Sequence, residues 1–232
     1  MRKMNMKTSL AWTVILSSLV LSACGSSFNE KKYKVTLTNV TADQPLSPAT
    51  VIFHKSAYHL FQPGQMASVA LEHLAEGGSN QELFDEANAN AAFVTSASGA
   101  GIIPPGGSET IDLEVDDTTD LNISVAAMLV NTNDAFAARG SNKIASLKKG
   151  ESFSLHVPIW DAGTEANTEA SGSMPGPADG GEGFNASRSG DANFVAIHQG
   201  VVTNADGLAT SVLGESHRFN NPGVLLHVER VK

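Results

Sequence analysis

The sequence has one cysteine in 232 residues. No internal disulfide can form, so a disulfide-stapled secreted scaffold is excluded, and a chain of this length can bury a sizeable core without staples. Zinc sites built on several thiolates are excluded for the same reason. Positive charge is also scarce. Lys+Arg number 15 against 24 Asp+Glu, the formal net charge is −9, and no basic run follows the first few residues. Gripping a phosphate backbone needs clustered Lys and Arg, so nucleic acid is not an expected partner. Only 17% of residues are charged, against 21 glycines and 9 prolines, a balance that reads as turns around sheet rather than a helical bundle. There is no G-x-S-x-G elbow, no Walker loop and no H-E-x-x-H zinc pair. The glycines from Gly99 to Pro105 lack the strand-to-helix setting of a nucleotide loop.

The apolar run Leu10–Leu21 is shorter than the roughly 18–20 residues that span a bilayer. It follows Arg2, Lys3 and Lys7 and ends in Leu21-Ser22-Ala23-Cys24, the layout of a cleaved leader rather than a permanent membrane helix. Those last four residues resemble the bacterial lipobox, in which the cysteine thiol takes a diacylglycerol and becomes the mature N-terminus. The only thiol of the chain thus sits where a lipid would be attached. Residues 1–24 are expected to be a leader, Cys24 the lipid attachment site, and 25–32 a polar tether. Several acyl chains make a stable anchor, at about 0.8 kcal/mol per buried CH₂. Gly25 stands where an Asp would resemble an inner-membrane retention signal. The expected location is therefore the bacterial envelope, at the outer membrane where a cell has two.

From Tyr33 onward the pattern alternates: Tyr33, Val35 and Leu37 face one way, Lys34, Thr36 and Thr38 the other. Ala49–Lys55 reads as the next strand. The period then changes. Val69, Ala70, Leu71, Leu74 and Ala75 mark a helix closed by Gly77-Gly78, and Ser79-x-x-Glu82 a capping box for a second short helix. Strand signals return at Ile111–Val115, Leu121–Val130, Lys143–Leu147, Phe153–Ile159, Phe194–His198 and Val224–Val231. Leu121–Val130 is apolar on both faces in its second half and is expected at the centre of a sheet. Residues 33–232 are expected to form one mainly β domain, an antiparallel sandwich with one or two short helices. The helix would cover an edge or end, with Val125, Ala127, Leu129, Leu155 and Val157 buried. Glu165–Ser189 has only Met174 and Phe184 as large apolar residues, and composition leaves open a functional loop or a disordered insertion.

The strongest chemical constellation is Trp160-Asp161-Ala162-Gly163-Thr164-Glu165, at the end of a strand. Carboxylates, a hydroxyl and turn carbonyls are hard oxygen donors of the kind Ca²⁺ takes in sets of about 6–8. Strand order places Asp134 at the same end as Asp161, where three acids would repel one another without a cation. The plainer reading is a set of turn acids on a solvated end. Asp116–Asp120 is a weaker candidate of the same kind, and Asn204–Gly207 reads as a hairpin turn. His156 and His227 fall on strand faces opposite apolar residues, which suits a surface or cross-strand role.

Asn133-Asp134-Ala135-Phe136, followed by an alternating strand and Pro158-x-Trp160-Asp161-Ala162-Gly163-Thr164-Glu165, resembles the spondin N-terminal domain family. The Ala67–Gly78 helix and the Phe184–Gly190 segment with Arg188 fit it too. The resemblance implies a C2-like β-sandwich that serves adhesion or recognition and is not an enzyme. It also implies calcium carboxylates at Asp134, Asp161 and Glu165. Ala135 replaces the family's Trp, Glu165 replaces an Asp, and the Phe expected soon after is absent, so the partner surface differs from that of animal members. The expected partners are the membrane, through the lipid, and an extracellular or envelope protein or glycan. A second reading is a periplasmic or surface hydrolase with Glu165–Ser189 as a lid over His198 or His217.

Overall fold

The computed structural model describes residues 30–190 and 192–232. The leader, Cys24 and residues 25–29 of the tether lie outside the described residues. The strands are β1 (Glu30–Asn39), β2 (Thr50–His54), β3 (Phe93–Ser98), β4 (Ser108–Asp116), β5 (Asn122–Met128), β6 (Ala135–Lys143), β7 (Ser152–Val157), β8 (Ile159–Asp161), β9 (Ala196–Ile197) and β10 (Val224–Arg230). Two helices, α1 (Val69–Gly77) and α2 (Gln81–Asn88), lie between β2 and β3. The strands form two antiparallel sheets, ordered β4-β1-β10-β7 and β3-β2-β5-β6-β8-β9. The fold is the mainly β sandwich that the alternation implies. Among the described residues no helix is long and apolar enough to cross a membrane.

The alternation in β1 explains the first sheet. Tyr33, Val35 and Leu37 are buried, and Val35 and Leu37 lie opposite Val228 and Leu226 of β10. They pack across the sandwich on Val51, Phe53, Val125 and Ala127 of the second sheet. β1 starts at Glu30, so Glu30–Lys32 are already paired with Asp116–Glu114 of β4 rather than forming the end of a tether.

The second sheet is covered on both faces, which is why β2 and β5 carry no alternation and every residue in them is buried. Its outer face, with Ile52, Ala126, Phe136 and Ala138, packs under Leu71, Leu74 and Leu83 of the helices. The helices therefore cover a face, not an edge or end, because that face is too apolar to leave wet. Ser68 caps α1 by accepting a hydrogen bond from Leu71 N at 3.2 Å, and Gly78, at φ 69°, closes it. At α2 the expected capping box is not formed. Asn80 is the cap residue, and Ser79 Oγ donates to the Glu82 carboxylate at 2.5 Å instead of serving a helix amide.

Three further differences have clear causes. Phe153–Ile159 is not one strand. Pro158 lacks an amide donor, and at this point the chain leaves the first sheet as β7 and enters the second as β8. β7 is an edge strand, so Leu155 is only half-buried, while Val125, Ala127, Leu129 and Val157 are buried as expected. The strand that returns from β5 is β6, Ala135–Lys143, and residues 144–147 turn away from the sheet. Asn204–Asp206 is a short 3₁₀ helix capped by Thr203, not a hairpin turn.

Candidate functional site: an acid-rich end of the sandwich

β5 and β8 each run antiparallel to β6 and so point the same way. Asp134 immediately precedes β6 and Asp161 ends β8, with Ala135 opposite Asp161. The expectation that the two acids share an end is met, though through β6 rather than a strand at 143–147. The turn after Asp161 needs its glycine. Gly163 has φ 70°, and a Cβ there would lie 2.6 Å from the backbone N and O of Phe194.

Asp134 organises this turn. Its Oδ2 accepts hydrogen bonds from Thr164 N at 2.8 Å, Glu165 N at 3.1 Å and Thr164 Oγ1 at 3.3 Å. Its other oxygen, Oδ1, is buried without a hydrogen-bond partner among the described residues. Asp161 accepts from Gly163 N at 2.7 Å through Oδ1 and from Asn167 Nδ2 at 2.6 Å through Oδ2. The turn-acid role weighed for these residues is therefore real, but Asp134 is fully buried rather than solvated.

The structure adds a fourth acid that sequence reasoning missed. Glu76, near the end of α1, is fully buried. Its Oε2 accepts from Asn185 N at 2.9 Å, and Oε1 has no hydrogen-bond partner among the described residues. Nothing in a short helix with Glu72, Glu76 and His73 announces that two of its carboxylates point inward. Glu72 is neutralised by Arg188, which donates through Nε at 3.0 Å and Nη2 at 2.7 Å and also reaches Ala67 O.

Arg188 lies in the segment whose role composition left open. Glu165–Ser189 packs on the domain: Met174 is buried in the core, Phe184 stacks on His73 at a centroid distance of 3.5 Å, and Arg188 and Asn185 bind α1. Glu169, in the same segment, is a second acid missed from sequence. It is 2% exposed, accepts from Val202 N at 3.2 Å, and leaves its other carboxylate oxygen unpartnered.

Burial dominates the electrostatics. It pushes Asp134 up to about 7, with the Asp161 charge adding to the rise. Burial, then Glu76, then Asp134 push Glu165 up to about 8. Burial raises Glu76, and burial alone raises Glu169 to about 7. Glu165 thus feels Glu76 more strongly than it feels Asp134.

The other candidates settle into structural roles. Asp117 pairs with Lys31 at 2.5 Å, and Asp120 accepts from the Ser56 amide and hydroxyl. His227 hydrogen-bonds Ser154 across the exposed face of β10 and β7, the cross-strand role expected of it. His54 Nδ1 meets Lys55 O and Nε2 meets Ser124 Oγ, both at 2.8 Å, but this pair is fully buried. His198 accepts Gly200 N and His217 accepts Gly214 N through Nδ1. His217 stands 3.7 Å from Asp43, and neither histidine hydrogen-bonds a serine hydroxyl among the described residues.

The donor set suits a hard cation in kind: carboxylates, a threonine hydroxyl and turn carbonyls, with buried carboxylate oxygens on Asp134 and Glu76 that no hydrogen bond satisfies among the described residues. Among the described residues, however, no three His, Cys, Asp or Glu side chains form a ready metal cage. A cation here would draw its remaining oxygens from carbonyls and water.

The family model described as Spondin_N matches residues 25–177. The chain belongs to the spondin N-terminal domain family. The matched span takes in β1 to β8, both helices and the acid turn, while Arg188, β9 and β10 lie beyond it. The family points to an extracellular recognition- or adhesion-type module. No curated protein matches the chain.

Proposed function

We propose that this is a lipid-anchored bacterial envelope protein whose spondin-type sandwich is a calcium-stabilised recognition module for an envelope or extracellular protein or glycan. The observation that carries the reading is Asp134: a fully buried carboxylate that holds the Asp161–Glu165 turn with one oxygen and leaves the other unsatisfied, inside the span matched by the family. Asp134, Asp161 and Glu165 would hold Ca²⁺, which would supply the positive charge this end lacks. The recognition surface is then the loops that these acids fix.

Two tests address the two halves of the proposal. Cys24→Ser is expected to release the protein from the membrane fraction or leave an uncleaved precursor, and a mature N-terminus elsewhere without acyl chains would sink the anchor. For the module, capture of ligands from native envelope with and without calcium is expected to give calcium-dependent partners. Turnover of an ester, peptide or glycoside substrate, abolished by changing His198 or His217, would favour the hydrolase reading instead.

A further inference from the structure

We propose that the domain rests on an anionic lipid surface, and that the contact is made by the turn 143–149 with the neighbouring end of β10. This rests on the lipid anchor inferred above and gives the anchored domain an orientation. Six residues take the chain from Cys24 to Glu30, where β1 starts. An extended chain covers at most about 3.6 Å per residue, so a lipidated Cys24 would hold this end of the sandwich within roughly 22 Å of the headgroups.

Four cations without acidic partners gather at that end. Lys143 ends β6, Lys148 and Lys149 form the turn into β7, and Arg230 ends β10. The three lysines are exposed, and none of the four forms an ion pair among the described residues. Hydrogen bonds fix the turn across the entry end: Ile144 O accepts from Tyr33 Oη and Ala145 O from Lys31 Nζ, both at 3.3 Å, and Leu147 O from Arg230 Nη1 at 2.8 Å. The nearby acids are engaged elsewhere. Glu151 accepts from Lys148 N at 2.9 Å, and Glu229 lies opposite Lys34. Glu114 and Asp116 lie on β4, at the far edge of the four-stranded sheet from β7. Charges at this end are therefore divided, with the open cations on the β7 side. Toward the other end, Arg188 and Arg218 are each bound by carboxylates. The chain carries a formal −9, so an anionic surface repels it as a whole and favours the orientation that turns this patch inward. The ten residues of β1 then lead away from the membrane for about 33 Å, which points the acid end and its loops outward.

The test is amide hydrogen exchange of the acylated full chain in two kinds of vesicle: phosphatidylcholine alone, and phosphatidylcholine with phosphatidylglycerol. Anionic vesicles are expected to slow exchange in 143–151 by about fivefold or more, the factor one cation near such a surface is worth, and to leave 161–165 unchanged. High salt is expected to abolish the slowing in the unmodified chain. Lys148→Gln with Lys149→Gln, at exposed turn positions, is expected to abolish most of it in the same vesicles. Inorganic phosphate added to neutral vesicles is expected to have no effect, and slowing by it would mean a free-anion site instead. A chain retained on both vesicles that exchanges alike in both, or that slows in 161–165 rather than 143–151, would overturn the orientation and leave the anchor standing. Slowing that survives both high salt and the double variant would overturn it too. A chain without acyl groups that neither vesicle retains removes the anchor and the orientation together.

Discussion

The two ends of the sandwich handle negative charge in opposite ways. Where β1 enters, exposed acids meet cations: Asp117 with the largely buried Lys31, Asp112 and Glu114 with Lys32, Glu30 with Lys232. Where β1 leaves, Asp134, Glu169 and, beside them, Glu76 are taken out of water, and none of the three forms an ion pair among the described residues. Exposed pairs are worth little and cost little to lose. Buried carboxylates cost more than such pairs return, so a fold retains them only where they hold backbone or a ligand. One end is a balanced surface; the other carries a charge deficit that its own side chains do not close.

The largest expected effect comes from the turn that assembles the acid end. Gly163→Ala places a Cβ against the Phe194 backbone at positive φ. The left-handed conformation costs roughly 1–2 kcal/mol and the overpacking about 1–3. Urea unfolding is expected to show a loss of about 2–5 kcal/mol, with or without calcium. A loss below half a kcal/mol would mean that the turn relaxes freely and that Asp134 does not depend on it.

Glu169 gives the next contrast, through pH. Its folded value, about 7, lies above the ordinary 4.5 because the neutral form is the one burial tolerates. The sign follows from that rise. The contribution is fully present below about pH 4.5 and is lost as pH climbs through about 7. At roughly 1.36 kcal/mol per pH unit, the loss between pH 4.5 and 8 is on the order of 3 kcal/mol. Asp134, Glu165 and Glu76 shift the same way, so the informative quantity is the difference from Glu169→Gln, measured in chelator. That variant is expected to flatten the pH dependence by about this amount, and parallel curves for the two proteins would refute the burial of this carboxyl.

Calcium sharpens the comparison from the other side. A ligand that binds only the folded state stabilises it by about 2.7 kcal/mol at a hundredfold excess over Kd. Extracellular calcium modules commonly have Kd of about 10⁻⁴–10⁻³ M, so millimolar calcium is the relevant range. Asp161→Asn is expected to remove most of the gain in melting temperature, since Asn keeps the shape without the charge. Magnesium is expected to substitute poorly, because it demands near-octahedral geometry. Identical melting in calcium and chelator would return these acids to ordinary turn residues.

The contrast between the ends also marks what could be read from residues alone. Strands with one wet face, such as β1 and β10, announce themselves by alternation, and the Asp161–Glu165 turn by its glycine and paired acids. Asp134 can be placed beside Asp161 because an even number of strand reversals brings two loops to one end, whichever strand makes the return. β3 and β6 were missed because neither shows the alternation of a strand with one wet face. The division of Phe153–Asp161 between two sheets has its local signal in Pro158, which lacks an amide donor. Glu76 and Glu169 left no local signal at all. Their burial depends on the segment 165–189 folding back over α1, a tertiary event that composition does not foretell.

The smallest effect belongs to the balanced end, and it is the control for the rest. Lys32 lies 3.5 Å from both Asp112 and Glu114, on a sheet face where all three side chains keep contact with water. Its pKa is raised, chiefly by Asp112, as expected for an ammonium between two acids. Solvent screens such contacts, and holding a long side chain in one rotamer offsets part of the attraction. Lys32→Gln is expected to lower the melting temperature only slightly in low salt and not measurably in high salt. Calcium should not alter that difference, because a cation at the other end of the sandwich lies well beyond a screening length of about 8 Å. A larger loss, or one that depends on calcium, would mean that the two ends communicate through β1, and that the charge deficit at one is being met in part by cations at the other.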